Sequence, residues 1–358
     1  MGGAGYVGSV LAEELLSRGY SVRIFDRLYF GDIGIRGIRD RVDVVVGDMR
    51  AVGPEVLEGV QAVVNVGGLS NDPTAEYNPQ ANVEMNTTAS TTLARLARDA
   101  GISRYVFASS ASVYDVGVHD HSRDVMLDET SPVSPRAAYS SSKFEAERAL
   151  VEMAGDDFCP VILRKGTIYG WSARLRYDLV VNAFVKDALS RGRITLHFGG
   201  EMWRPMVEIR DVCRAYVAAI EAPDDVVRGE VFNIVQRNFR ISELGLRVRE
   251  ALREAGITTD IVADFGYSGV RSYRVSGAKA ERVLGIRPQL DVAESVAHMV
   301  KQIQALGYTD WDNPRYYNIR WMKTLEEAER VIQTTGSVFG AGARAGMRSL
   351  SERRAAAQ

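Results

Sequence analysis

Apolar residues recur along the first half of the chain in two alternating patterns. Val10, Leu11, Leu15 and Leu16 lie on one helical stripe, with Gly19 as its C-terminal cap, and Tyr20–Phe25 is a short strand pattern ending at Asp26. Strand patterns return at Val42–Val46, Val60–Val66, Tyr105–Ala108 and Val161–Arg164, and helical ones at Asn86–Ala100 and Tyr139–Met153. This is the βα rhythm of a doubly wound parallel sheet. Past residue 170 the rhythm loosens. Helices are predicted over Asp178–Ser190, Asp211–Ala219, Ser242–Ala255 and Val292–Ile303, with short strands at Thr195–Phe198 and Val231–Ile234. The reading is a first domain over 1–170 and a smaller mixed α/β region over 171–335, with some segments returning to the sheet. Residues 336–358, rich in Gly, Ala and Arg, read as a disordered tail.

Composition narrows the function classes. The chain has 358 residues, with 44 Lys plus Arg against 46 Asp plus Glu and a net charge of -2. No basic excess points to nucleic acid or to a membrane surface. Only Cys159 and Cys213 are present, so a disulfide scaffold and a cysteine-rich zinc module are both excluded. No apolar run approaches the roughly 20 residues of a membrane span, and no signal peptide precedes the first motif. The expected compartment is the cytoplasm. The pair His119 and His121 has no recognisable third ligand, so no metal is expected.

The opening GGAGYVGSVLAEELL places Gly2, Gly5 and Gly8 ahead of the first helix, with a strand and Asp26 following. Glycines at this spacing let backbone amides approach a pyrophosphate, and the helix N-terminus adds its partial positive charge. Asp26 suits an adenosine ribose hydroxyl and so favours NAD over its 2'-phosphorylated form. The same triplet would also serve tight helix packing alone. Such a turn ordinarily follows an inner strand, yet only Met1 precedes it. Either the natural start lies upstream, which is the favoured expectation, or the sheet lacks an inner strand. That loss would cost several kcal/mol, against a whole-protein stability of about 5–15 kcal/mol.

Tyr139 and Lys143 stand four residues apart in a helical pattern, hence on one face. A phenol is a poor base at neutral pH. An ammonium about 4 Å away interacts by about 4 kcal/mol at an effective dielectric of about 20, enough to lower the phenol pKa by roughly one to two units. Ser110, just past a strand end, can hold the reacting oxygen, with Ser109 and Ser112 as rival positions.

Taken in order, these motifs resemble the extended short-chain dehydrogenase/reductases, within the NAD-dependent sugar-nucleotide epimerase/dehydratase family, over about residues 2–305. The resemblance implies a Rossmann-type fold. It implies that Gly2, Gly5, Tyr6 and Val7 of the opening motif, together with Gly67, bind NAD. It implies further that Asp48 and Met49 of GDMR contact adenine. VFASSASVY places the catalytic hydroxyl at Ser110. DETSPVSPRAAYSSSKFEAE matches the family signature with Tyr139 and Lys143, and Lys143 would also bind the nicotinamide ribose. Arg204 of MWRPMVEIRDV and Asn182 of VVNAFV would hold a nucleotide diphosphate, with Thr167 near the sugar. Apart from the resemblance, one of Arg271 and Arg274 in RSYRVSGAK is expected to reach phosphate, with Arg271 preferred and a solvated strand arginine as the alternative.

The implied substrate is a nucleotide-diphosphate sugar. The implied enzyme is an NAD-dependent epimerase acting at C4 through a transient 4-keto sugar, in a homodimer. A keto-sugar reductase, a sugar-nucleotide dehydrogenase and a non-catalytic nucleotide-binding protein are the alternatives. Ala111 and Ser112 stand where similar 4,6-dehydratases carry Asp-Glu, which disfavours water elimination. Thr167 replaces a common Asn, and Gly67-Gly68 a common pair of alanines. Arg174 and Arg176 lie in the loop before the substrate helix, with no diagnostic spacing.

Overall fold

The computed structural model describes residues 1–114, 125–266 and 271–336. Its strands in chain order are β1 (Arg23–Asp26), β2 (Asp43–Val46), β3 (Ala62–Asn65), β4 (Arg104–Ser110), β5 (Met126–Leu127), β6 (Cys159–Lys165) and β7 (Thr167–Tyr169). They continue with β8 (Arg193–His197), β9 (Trp203–Glu208), β10 (Val231–Ile234), β11 (Arg237–Arg240), β12 (Asp260–Asp264) and β13 (Arg274–Val275). Four strands form a parallel sheet in the order β10-β6-β4-β3, and β1 pairs β2 in parallel beside it. This is the expected α/β, Rossmann-type sheet. A smaller mixed region, with β9 between β11 and β7 and with β12 beside β8, is built beyond it.

The central strands are apolar without alternation because both faces are covered. On one face Tyr105 and Phe107 pack with Leu93, Ala146 and Leu150. On the other, Val106 and Ala108 pack with Val212, Cys213 and Tyr216 of the helix Ile209–Glu221. A separate core of Tyr169, Tyr177, Phe184, Val248 and Met299 underlies the second half of the chain. β10 carries the later chain back to the main sheet, so the two halves interleave. Both cysteines are buried and free.

Most predicted elements are present with ends shifted by a residue or a few. Tyr139–Met153 is the helix Ala138–Glu152, and Asp178–Ser190 is Val180–Arg191. The segment read as one helix over Asn86–Ala100 is instead a π-helical turn, Glu84–Thr88, running into Ala89–Asp99. The Asn86 amide there donates to Leu69 O, Asn82 Oδ1 and Ser142 Oγ, tying the turn to the signature helix. The helix Asn318–Thr335 was not foreseen. Most of its residues are exposed, and its apolar residues Ile319, Trp321, Met322, Leu325 and Ile332 are only half-buried, so it lacks the broad apolar stripe that a sequence reading needs.

The sheet is interrupted between β1 and β3, which do not pair with each other. Among the described residues, Met1 and Gly2 link them by backbone hydrogen bonds: Met1 N donates to Val64 O at 3.0 Å, Val66 N to Met1 O at 3.1 Å, and Gly2 N to Phe25 O at 2.9 Å. His119, His121 and the tail after Gly336 lie outside the described residues.

Candidate active site

The C-terminal ends of β3, β4 and β6, the glycine turn and the loops beyond β7 enclose a cleft of about 1000 Å³. Ligands of doubly wound sheets bind at this edge. Gly2, Gly5, Tyr6, Val7, Gly67, Ser110, Tyr139, Lys143, Thr167, Arg204 and Arg271 all line it. Asp26, Asp48, Met49 and Asn182 are not among its lining residues.

The turn end is made of backbone. Gly2 has φ +76, and a Cβ there would meet Gly67 Cα at 2.6 Å. A Cβ on Gly8 would meet Gly2 O at 2.2 Å, so only glycine lets the helix start this close to the turn. The helix Tyr6–Ser17 has Gly5 as its N-cap, with no side chain capping its first amides. Those amides, with the helix dipole behind them, suit the pyrophosphate of a dinucleotide. Asp26 sits at the end of β1 and accepts from Ala4 N at 3.0 Å and Leu28 N at 2.8 Å, so it braces the turn. Asp48 is paired with Arg27 and Arg50 at 2.6 Å each, which holds its carboxyl down to about 2. Met49 is buried, with its sulfur 3.5 Å from the Cβ position of Gly67.

The other end is made of side chains. Tyr139 stands in the first turn of the signature helix, and the Ser110 hydroxyl faces its phenol closely enough to favour the ionised form. Ser110 Oγ also accepts from Ser112 Oγ at 3.0 Å and Ser112 N at 3.2 Å. Ser109 donates to Glu147, which Arg164 clamps with bonds of 3.0 and 2.7 Å. Of the three serines, Ser110 is therefore the one that reaches Tyr139. Lys143 is buried above the Phe107 ring at 4.8 Å, and burial lowers its pKa to about 8, opposed by Glu147.

One expectation is corrected here. Burial pushes the Tyr139 phenol up, to about 12. The groups that oppose it are the Ser110 hydrogen bond and the charge of Arg176, not Lys143. Arg176 is itself buried and fixed by Asp178 through two bonds of 2.9 Å and by Ser70 at 3.0 Å. The four-residue spacing placed Lys143 on the correct face but does not make it the cation nearest in effect.

Other residues occupy places the sequence did not reveal. Asn182 is fully buried and holds the loop after β7: it accepts from Gly170 N at 3.0 Å and donates to Arg176 O at 3.0 Å and to Tyr6 Oη at 3.2 Å. Arg204 donates to the carbonyls of Trp203 and Arg271, and Arg271 pairs with Asp72. Arg174 lies over the Phe30 ring at 3.5 Å and donates to Asn318 Oδ1 at 2.5 Å. Asn318 also donates to Ser70 Oγ at 2.9 Å, so the late helix completes one cleft wall. Lys165, half-buried near Lys143 and above Tyr216, has its pKa driven down by desolvation and by the charge of Lys143. No sequence spacing marks Asn318 or Lys165. They reach the cleft through tertiary packing.

Residues 1–235 match the NAD dependent epimerase/dehydratase family. The chain belongs to that family. It is 26% identical over 247 residues to UDP-glucuronic acid decarboxylase 1 of Xenopus tropicalis, spanning 66% of this chain and 57% of that protein. A crystal structure of DesIV, a dTDP-glucose 4,6-dehydratase from Streptomyces venezuelae with NAD bound, shares 26% identity, with a TM-score of 0.72 over 86% of this chain and 97% of that one. UDP-glucuronic acid 4-epimerase from Bacillus cereus, solved with UDP-glucuronic acid and NAD, has the same fold at 22% identity, with a TM-score of 0.73 over 85% of this chain and 98% of that one. Among the described residues, no helix is long and apolar enough to cross a membrane, and no group of three or more His, Cys, Asp or Glu could hold a metal ion.

Proposed function

We propose that this protein is an NAD-dependent epimerase acting on a nucleotide-diphosphate sugar at C4, through a transient 4-keto sugar. The observation that carries the reading is the juxtaposition of Ser110, Tyr139 and Lys143 at one end of a cleft whose other end is the glycine turn. The uncapped amides after Gly5, and a turn that a Cβ would fill, fit a dinucleotide pyrophosphate. Solved relatives of this fold hold NAD. Bound NAD would supply the hydride acceptor and donor.

The rest of the chemistry falls to this chain. Tyr139 takes the proton of the sugar hydroxyl, and Ser110 holds the oxygen that loses and regains it. Lys143 orients the cofactor ribose. Arg204 and Arg271 turn from their present carbonyl and carboxylate partners to the diphosphate, for which a planar guanidinium is suited. Asp48 and Met49 lie on the adenine side. Asn182 acts on the substrate through the loop it holds. Ala111 and Ser112, at the positions that follow Ser110, supply no carboxylate pair for dehydration. The assembly is proposed to be a homodimer.

Incubation with a panel of UDP-, dTDP- and GDP-sugars tests the reading, with sugar mass and stereochemistry as the measurements. An isomer of unchanged mass, with retained NAD and no net redox, is expected. Stoichiometric NAD(P)H consumption would replace it with a keto-sugar reductase or a dehydrogenase. Dinucleotide binding without turnover on any sugar would replace it with a nucleotide-binding role.

A further inference from the structure

The loop after β7 carries two buried arginines, and only one of them has an acidic partner. Arg176 is held by Asp178. Arg174 is 3% exposed and lines the cleft together with Gly5, Tyr6 and Phe30. Its guanidinium lies over the Phe30 ring at 3.5 Å. Nη2 donates to Asn318 Oδ1 at 2.5 Å and Nη1 to Leu175 O at 3.4 Å, while the buried Nε has no partner among the described residues. Among those residues no carboxylate forms an ion pair with it: Asp178 is taken by Arg176, and Asp26 accepts from the turn amides. Burial and the charge of Arg176 lower its pKa to about 9. A buried guanidinium in such surroundings is costly until an anion completes it. The root of the side chain also adjoins the glycine turn. A Cβ on Gly34 would meet Ala4 O of the turn at 2.6 Å and Arg174 Cβ at 3.1 Å.

Asn318 opens the helix Asn318–Thr335, which lies beyond the residues matched to the family. Its amide also donates to Ser70 Oγ at 2.9 Å, the same oxygen that accepts from Arg176 at 3.0 Å. One turn further on, Trp321 Nε1 donates to Tyr29 O, and Met322 packs with Phe25 and Met49. The helix therefore grips the loop that carries Phe30 and the loop that carries Arg174. We propose that Arg174 is a clamp for the dinucleotide pyrophosphate, and that the helix Asn318–Thr335 belongs to the cofactor site because it aims that clamp. The anion is then held between the uncapped amides after Gly5 and a planar guanidinium suited to phosphate oxygens. Asn318 is a positioning residue that acts through Arg174. The proposal rests on the dinucleotide reading of the cleft, and not on which reaction the cleft performs.

Calorimetric titration of the full-length protein with NAD, adenosine and UDP tests it, in the unsubstituted form and in Arg174→Met, Arg174→Lys and Asn318→Ala. Arg174→Met is expected to weaken NAD at least about tenfold, the loss of a charge-assisted contact. Arg174→Lys and Asn318→Ala are expected to weaken it by about threefold or more, since one gives up the planar fork and the other its aim. Adenosine, which lacks the pyrophosphate, and UDP, which reports the substrate side, are expected to stay within about twofold in every variant. An equal loss on adenosine would overturn the proposal by marking a collapsed wall, and a loss on UDP would do so by moving the contact to the substrate. Should Arg174→Met fail to fold, unchanged NAD affinity in Arg174→Lys and Asn318→Ala would overturn it as surely. NAD bound equally by all four proteins would remove the clamp alone. An unsubstituted protein that binds no NAD would remove the dinucleotide reading together with it.

Discussion

The two ends of the cleft are built from different material. At the turn end, close approach is the requirement, and backbone meets it: Gly2 against Gly67, and Gly8 against Gly2. At the reacting end, charge and proton position are the requirement. Side chains from the strand end, the signature helix and the loop after β7 meet there at Ser110, Tyr139, Lys143 and Arg176. A backbone-built site is disabled by adding atoms. A side-chain-built site is disabled by removing them.

That contrast is sharpest in a substitution that leaves the turn untouched. Tyr139→Phe removes the hydroxyl that Ser110 holds, and turnover is expected to fall by about 10²–10⁴-fold while dinucleotide affinity is retained. Steady-state kinetics beside calorimetry checks both halves, and an unchanged rate would remove Tyr139 from the mechanism. The mirror experiment is Gly2→Val. A Cβ 2.6 Å from Gly67 Cα, at φ +76, forces the turn open, so dinucleotide affinity is expected to fall at least about tenfold. The near-ultraviolet spectrum should report a reacting end that is still folded.

A smaller effect tests which cation acts on the phenol. Arg176→Lys keeps a charge but gives up the fork that Asp178 grips with two bonds, so the charge is less well fixed. The Tyr139 pKa is then expected to rise further, moving the corresponding limb of the pH–rate profile to higher pH by about half a unit or more. A profile that moves with Lys143→Arg but not with Arg176→Lys would restore the assignment suggested by sequence spacing. The smallest effect is on stability. Lys143 is lowered from 10.5 to about 8 in the folded protein, so the unfolded chain binds more protons between those values. Stability is expected to rise with pH across that window, with the full penalty present below it. Thermal midpoints of Lys143→Met should show a weaker rise than those of the unsubstituted protein.

The same contrast explains what the sequence disclosed. Glycine spacing is a local signal, because a turn and the helix after it are neighbours in the chain. The Tyr139–Lys143 face was legible for the same reason. Arg176 acts on Tyr139 from 37 positions later in the sequence, and Asn318 meets Arg174 from across 144 positions, so neither contact has a local signature. The Asp26 carboxylate illustrates a subtler limit. Its position after the strand was readable, but its grip on Ala4 N and Leu28 N depends on how the turn folds back. The diphosphate contact of Asn182 is implied by family resemblance alone, and the hydrogen bonds of its side chain run to the loop after β7.

The helix that begins at Asn318 has a consequence for synthesis on the ribosome. Strands β3, β4 and β6 have all emerged by residue 165, long before Asn318 is made. A nascent chain therefore owns its reacting residues while one wall of the cleft is still unbuilt. Premature termination in that interval would release a protein that holds Ser110, Tyr139 and Lys143 but leaves Arg174 and Ser70 without their Asn318 partner.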